Sequence, residues 1–148
     1  MNIREKAFRE TGKRCAALIA FEPYVRVYDA IKDHHAMRIV AKKYRYTMEI
    51  FYDACDRRYE GLSQSIRALQ EILGMMHDCD VWIITLQEQG FAGEVVPGNG
   101  SGTDAGDPDI LALLEDRKKQ RRILYNEFVR LWDEFREKHL AGEIPGSC

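Results

Sequence analysis

No run of apolar residues in this chain approaches the length of a membrane span, and the N-terminus lacks the basic-then-apolar order of a signal peptide. The four cysteines, Cys15, Cys55, Cys79 and Cys148, are widely spaced and include no C-x-x-C pair, which reads as reduced thiols in a cytoplasmic protein. Alternating strand patterns are missing as well. The glycines between Gly98 and Gly106 are not accompanied by the lysine and serine or threonine of a phosphate-cradling loop, nor do they join a strand to a helix. No spacing of Ser, Cys or His suggests a nucleophile with its base. None of these patterns marks a catalytic group, and no cofactor is expected.

Acidic residues are also missing, but only locally. The chain has 148 residues, 45% hydrophobic and 31% charged, with a formal net charge of −2. That is one soluble domain by length. The near-zero total conceals two basic clusters: residues 34–46 carry four cations and no acid, and Arg117–Arg122 carries five cations in six residues. Such a balance argues against a general nucleic-acid coat and for local anion binding.

Helical periodicity dominates what remains. A first helix is expected over about Asn2–Ala20, with Phe8, Thr11, Cys15, Leu18 and Ile19 on one side, interrupted by Glu22-Pro23. A short helical fragment fits Tyr24–Asp29. The second helix is expected over Asp33–Ala54, with Asp33 as N-cap. The third starts near Tyr59 with an inner stripe of Leu62, Ile66, Leu69 and Leu73; Gly74 either ends or kinks it, and helical register resumes over Asp78–Gln89. A flexible loop over about 96–107 breaks the pattern. Asp107-Pro108 then opens a last helix reaching about Leu140, in N-cap and N1 order. The fold expected is all-α, an antiparallel four-helix bundle forming a single domain over residues 1–148. Trp82, Phe128 and Trp132 are read as core.

The second helix separates chemistry by face. At about 100° per residue, His35, Arg38, Lys42 and Arg45 fall within an arc of roughly 80°, opposite Met37, Val40, Tyr44, Thr47, Met48 and Phe51. Several spaced cations on one face suit a flexible polyanion, with Arg offering forked donors and Lys a mobile point charge. His34 points about 100° away from His35 and is set aside as incidental. In the last helix Arg117 and Arg121 interrupt the apolar stripe of Ile110, Leu113, Leu114, Leu124, Phe128, Leu131, Trp132 and Phe135. Inward guanidinium groups need partners. Either they pair with inward acids such as Glu49 or Asp80, or the bundle is open there and admits an anion; the second reading is the one preferred.

The stretch H-x-x-R-x-x-x-K-x-x-R-Y from His35 to Tyr46, followed by Ala68–Gly74 and His77-Asp78-Cys-Asp80-Val81, resembles the CHAD domain (conserved histidine α-helical domain). The resemblance runs from about Ala17 to Leu86 and more weakly along the last helix. It implies a helical domain that binds inorganic polyphosphate through basic surfaces. Family domains carry two similar helical halves, and this chain looks like the second alone, so a homodimer about a two-fold axis would rebuild the whole surface. On this reading His35, Arg38, Lys42, Arg45, Arg117 and Arg121 contact the anion. Lys43 and Arg122 reinforce the periphery, and Arg67, Gln70 and His77 are neighbours on the third helix. Tyr46 either donates its hydroxyl to phosphate or packs between helices. Asp78 or Asp80 would orient Arg or His side chains. The rival for His77-Asp78-x-Asp80 is a divalent metal, since an earlier histidine followed by His-Asp is also similar to the HD phosphohydrolases. A helical adaptor for nucleic acid or protein is the other alternative.

Overall fold

The computed structural model describes residues 2–51, 53, 60–91 and 107–140, and all regular structure among them is helical. In chain order the helices are α1 (Ile3–Ile19), α2 (Glu22–Val25), α3 (Ile31–Ile50), α4 (Glu60–Phe91) and α5 (Pro108–Leu140). Among the described residues no helix is long and apolar enough to cross a membrane. The expected loop at 96–107, save Asp107, lies outside the described residues, as do Tyr59, Cys55 and Cys148.

Local sequence sets the starts of α1 and α5. Asn2 caps α1 through its side chain, which accepts from the Glu5 amide, and the Glu5 carboxylate returns the bond to the Asn2 amide. At α5 the Asp107 carboxylate accepts from the Asp109 amide at 2.9 Å, and Pro108 occupies the first helical position, where a missing amide costs nothing.

Asp33 is not the cap of α3, which starts two residues earlier with Ala30 at the N-cap and no side-chain bond. The preceding turn supplies the bonding instead, through Val27 to Tyr24 and Ala30 to Val27 backbone hydrogen bonds that lead directly into the helix. Asp33 remains in the first turn, where its charge favours the helix dipole. The helix stops at Ile50, and Tyr52 and Ala54 lie outside the described residues. Gly74 neither ends nor divides α4, which runs through it as one helix.

Helix α4 packs against both α3 and α5, while α1 packs against α3. Their shared core includes Leu18, Met37, Tyr44, Leu62, Ile66, Leu69, Leu73, Phe128, Trp132 and Phe135. Burial of each large side chain contributes about 1.5–3 kcal/mol. The short α2 fastens the front of the chain to α5: Glu22 accepts from the Trp132 indole, and Arg26 meets Asp133 at 2.6 Å. Three apolar assignments are corrected. Phe8 is 41% exposed, because Ala7, Thr11, Cys15 and Leu18 form the inner face of α1. Trp82 and Leu113 are also partly exposed, at 48% and 38%, since the buried positions nearby are Cys79, Leu86 and Leu114.

Candidate anion-binding site

The register of α3 divides its residues between two environments. His34, Met37, Ala41, Tyr44 and Met48 enter the core. His35, Arg38 and Arg45 are half-buried and Lys42 is exposed, along a seam between α3 and α4. The His35 ring stacks on His77 with centroids 4.3 Å apart and planes 22° from parallel. Farther along, a Cβ on Gly74 would stand 3.6 Å from Arg38 Nε, an ordinary contact distance, so that guanidinium group lies close against α4 at Gly74. At the far end Glu49 lies between Arg45 Nε, at 3.3 Å, and Arg67 Nη2, at 3.7 Å.

Pairs 35 with 77, 38 with 74 and 45 with 67 therefore define two antiparallel rows in register. The same register puts Lys42 level with Gln70, whose buried Oε1 has no hydrogen-bond partner among the described residues, and buried His35 Nδ1 likewise has none among them. The rows extend about 15 Å at the rise of an α-helix. Lys42 and Arg45 lie 5.7 and 4.9 Å from the centroid of the Tyr46 ring, which is 43% exposed. Of the residues described, Glu49 is the sole carboxylate ion-paired to this row. Its contact with Arg67 is solvent-exposed and worth at most about 1 kcal/mol, while its contact with Arg45 is half-buried.

Behind the seam lies an interior polar cluster. Arg121 is only 2% exposed. It donates Nε to Asp80 Oδ1 at 3.0 Å and Nη1 to the Tyr28 carbonyl at 2.5 Å, while Nη2 is 3.2 Å from His34 Nδ1. His34 Nε2 lies 3.0 Å from the Tyr24 carbonyl. A carbonyl only accepts, so Nε2 carries the proton and Nδ1 accepts from Arg121. Burial pushes the His34 pKa down, the Arg121 charge adds to this, and the bond to Tyr24 opposes both.

The CHAD domain model matches residues 4–87, more than half of the chain and all of both rows. The chain belongs to the CHAD domain family. CHAD domains are in general linked to polyphosphate binding. No curated protein and no solved structure matches the chain.

The residues singled out in this CHAD chain do not form one continuous surface. His35, Arg38, Lys42, Arg45, Tyr46, Arg67 and His77 share the α3–α4 seam, whereas Lys43 is exposed on the adjoining face of α3. Arg121 is corrected from a direct anion contact to an interior residue, because Asp80, Tyr28 and His34 already engage its donors. The acid pairing weighed for it is realised with Asp80 and not with Glu49. Arg117 is half-buried over Trp82 at 5.5 Å, with a buried Nε that has no hydrogen bond among the described residues. Arg122 is exposed and lies 4.1 Å from the Tyr28 ring centroid.

The His77-Asp78-x-Asp80 element is likewise divided: His77 stacks on His35, Asp78 is exposed and Asp80 holds Arg121. Among the described residues no group of three or more His, Cys, Asp or Glu side chains could hold a metal ion. His34 is the residue that sequence reasoning passed over. Its spacing from Met37, Ala41, Tyr44 and Met48 is that of the core stripe, and this was the available signal. The role of Gly74 had no such signal, because it exists only once α3 lies alongside.

Proposed function

We propose that this CHAD chain binds inorganic polyphosphate along the α3–α4 seam and performs no catalysis. The observation that carries the reading is the pair of antiparallel rows, in which Arg38, Lys42, Arg45 and Arg67 line one seam with a histidine pair at its end. A polyanion with charge on every unit gains from several spaced cations, and Arg and Lys supply directed and mobile contacts respectively. Cations on one seam also hold counterions, whose release on binding drives association and makes it sensitive to salt.

The four long helices α1, α3, α4 and α5 are taken as an antiparallel bundle equivalent to one half of a CHAD domain. A second copy, related by a two-fold axis, would supply the other half. The setting for this activity is the cytoplasm. Sedimentation of the protein with and without polyphosphate tests the dimer: a monomer under both conditions removes it from the proposal.

The binding test is an isotherm for medium-chain polyphosphate at physiological salt, comparing wild type with Arg38→Ala/Lys42→Ala/Arg45→Ala. Salt-sensitive binding that disappears in the folded variant is the expected result. Equal binding by both proteins, or none by either, overturns the assignment.

A further inference from the structure

A cavity of about 400 Å³ opens where the turn before α3 meets α4 and α5, away from the α3–α4 rows. Its walls combine two kinds of surface. Tyr28, Ile31 and Ile83 supply apolar walls, while Lys118, Lys119 and Arg122 of α5 supply positive charge at the mouth. The Arg121–Asp80 pair also contributes to the lining, but Arg121 is anchored on three sides and its charge is matched by Asp80, so this pair acts as a rigid, near-neutral wall.

The charges without a buried counter-charge are those of α5. Lys118 has only an exposed 3.6 Å contact with Glu115, and among the described residues Lys119 and Arg122 have no ion-paired carboxylate. Arg122 is instead held against the Tyr28 ring, itself edge-on to Tyr125. Asp29, in the turn before α3, also lines the cavity and repels an anion from there. An anionic group is thereby directed to α5, with the rest of its molecule facing the apolar walls.

Inorganic polyphosphate has no apolar part and would gain nothing from Ile31 and Ile83. The volume is that of a small-molecule site, and the mixture of apolar walls with a few placed charges is what such sites use. We infer that the cavity is a second binding site, separate from the α3–α4 seam, for a small organic anion: a compact apolar body bearing one phosphate or carboxylate group. The apolar body lies against Ile31 and Ile83, and the acid group meets Lys119 and Arg122. The inference does not depend on what the α3–α4 seam binds.

Calorimetric titration with three probes tests it: naphthyl phosphate, inorganic phosphate and naphthol. The first combines both features, and the other two carry one each. Naphthyl phosphate should bind at one site per chain at least about tenfold more tightly than either of the others. Lys119→Glu, an exposed change that leaves the core untouched, should weaken it about tenfold or more, and Ile83→Trp should weaken it by filling the cavity. Arg38→Ala/Lys42→Ala/Arg45→Ala should bind it like wild type. Near-UV circular dichroism checks that Ile83→Trp is folded, and Lys119→Glu carries the test if it is not. Equal affinity for inorganic phosphate, indifference to Lys119→Glu, or loss of binding in the α3 variant would each overturn the inference.

Discussion

The interior pair of Asp80 and Arg121 gives the sharpest test of how this fold is held together. Asp80 is 5% exposed and Arg121 2%, with 3.0 Å between Oδ1 and Nε. Removing one member of a buried pair leaves the other charge without its match and costs about 3–5 kcal/mol, whereas an exposed pair costs under about 1 kcal/mol. Asp80→Ala should fall in the first range. Asp80→Asn loses the charge but retains an oxygen acceptor for Arg121 Nε, so it keeps a hydrogen bond to a charged group worth about 1.5–3 kcal/mol and should cost less than Asp80→Ala by about that amount. Arg121→Met should be at least as damaging as Asp80→Ala, because it orphans Asp80, the Tyr28 carbonyl and His34 Nδ1 together.

Urea unfolding at neutral pH measures all three. For a chain of this size, 3–5 kcal/mol corresponds to a fall in Tm of about 6–20 °C. The double variant Asp80→Ala/Arg121→Met should be less destabilised than the sum of the two single changes, because neither charge is then left alone. Additive effects, or an Asp80→Ala cost below about 1 kcal/mol, would show that water screens the pair and that Arg121 is not an interior residue.

Other consequences follow from the same geometry. His34 is neutral when folded, with a pKa pushed down mainly by burial and also by Arg121, while the bond to the Tyr24 carbonyl and, after it, Asp80 and Asp33 act in the opposite direction. The unfolded chain takes up the proton first, so this contribution is complete above about pH 6.5 and is lost as pH falls towards the depressed folded value, at up to about 1.4 kcal/mol per pH unit. Urea midpoints between pH 7.5 and 5.5 should fall more steeply in wild type than in His34→Gln, and parallel curves would contradict the assignment. Gly74→Ala adds a methyl at ordinary contact distance from Arg38 and should stabilise α4 by about 0.5–1 kcal/mol without weakening polyphosphate binding. Gly74→Glu should weaken that binding by bringing a carboxylate to Arg38, and an unchanged isotherm would remove Arg38 from the site. With four cations engaged, the slope of log K against log salt in the wild-type protein should be about −3 by analogy with single-stranded nucleic acid.

Much of the helical layout is local and was therefore legible. Asn2 with Glu5, and Asp107 with Pro108, encode helix starts in adjacent residues. The spacing of Leu62, Ile66, Leu69 and Leu73 encodes a face that the structure buries. The same periodicity collected His35, Arg38, Lys42 and Arg45 before any packing was known. Where it failed, the competing information was also structural: Ala30 rather than Asp33 caps α3 because a run of backbone-bonded turns feeds into it.

The sequence by itself determined which residues share a helix face, because a rise and rotation per residue are enough to compute that. Tertiary structure alone decided what each face meets. Arg117 and Arg121 are one turn apart on the same helix and have the same chemistry. One remains half-buried over Trp82, while the other is interior because Asp80, Tyr28 and His34 converge on it from distant parts of the chain. Similarly, Gly74 became a place for Arg38, and His77 a partner for His35, only when α3 and α4 came together in antiparallel register. Periodicity fixes direction around one helix axis, but the burial of a charge depends on partners whose positions no single helix specifies.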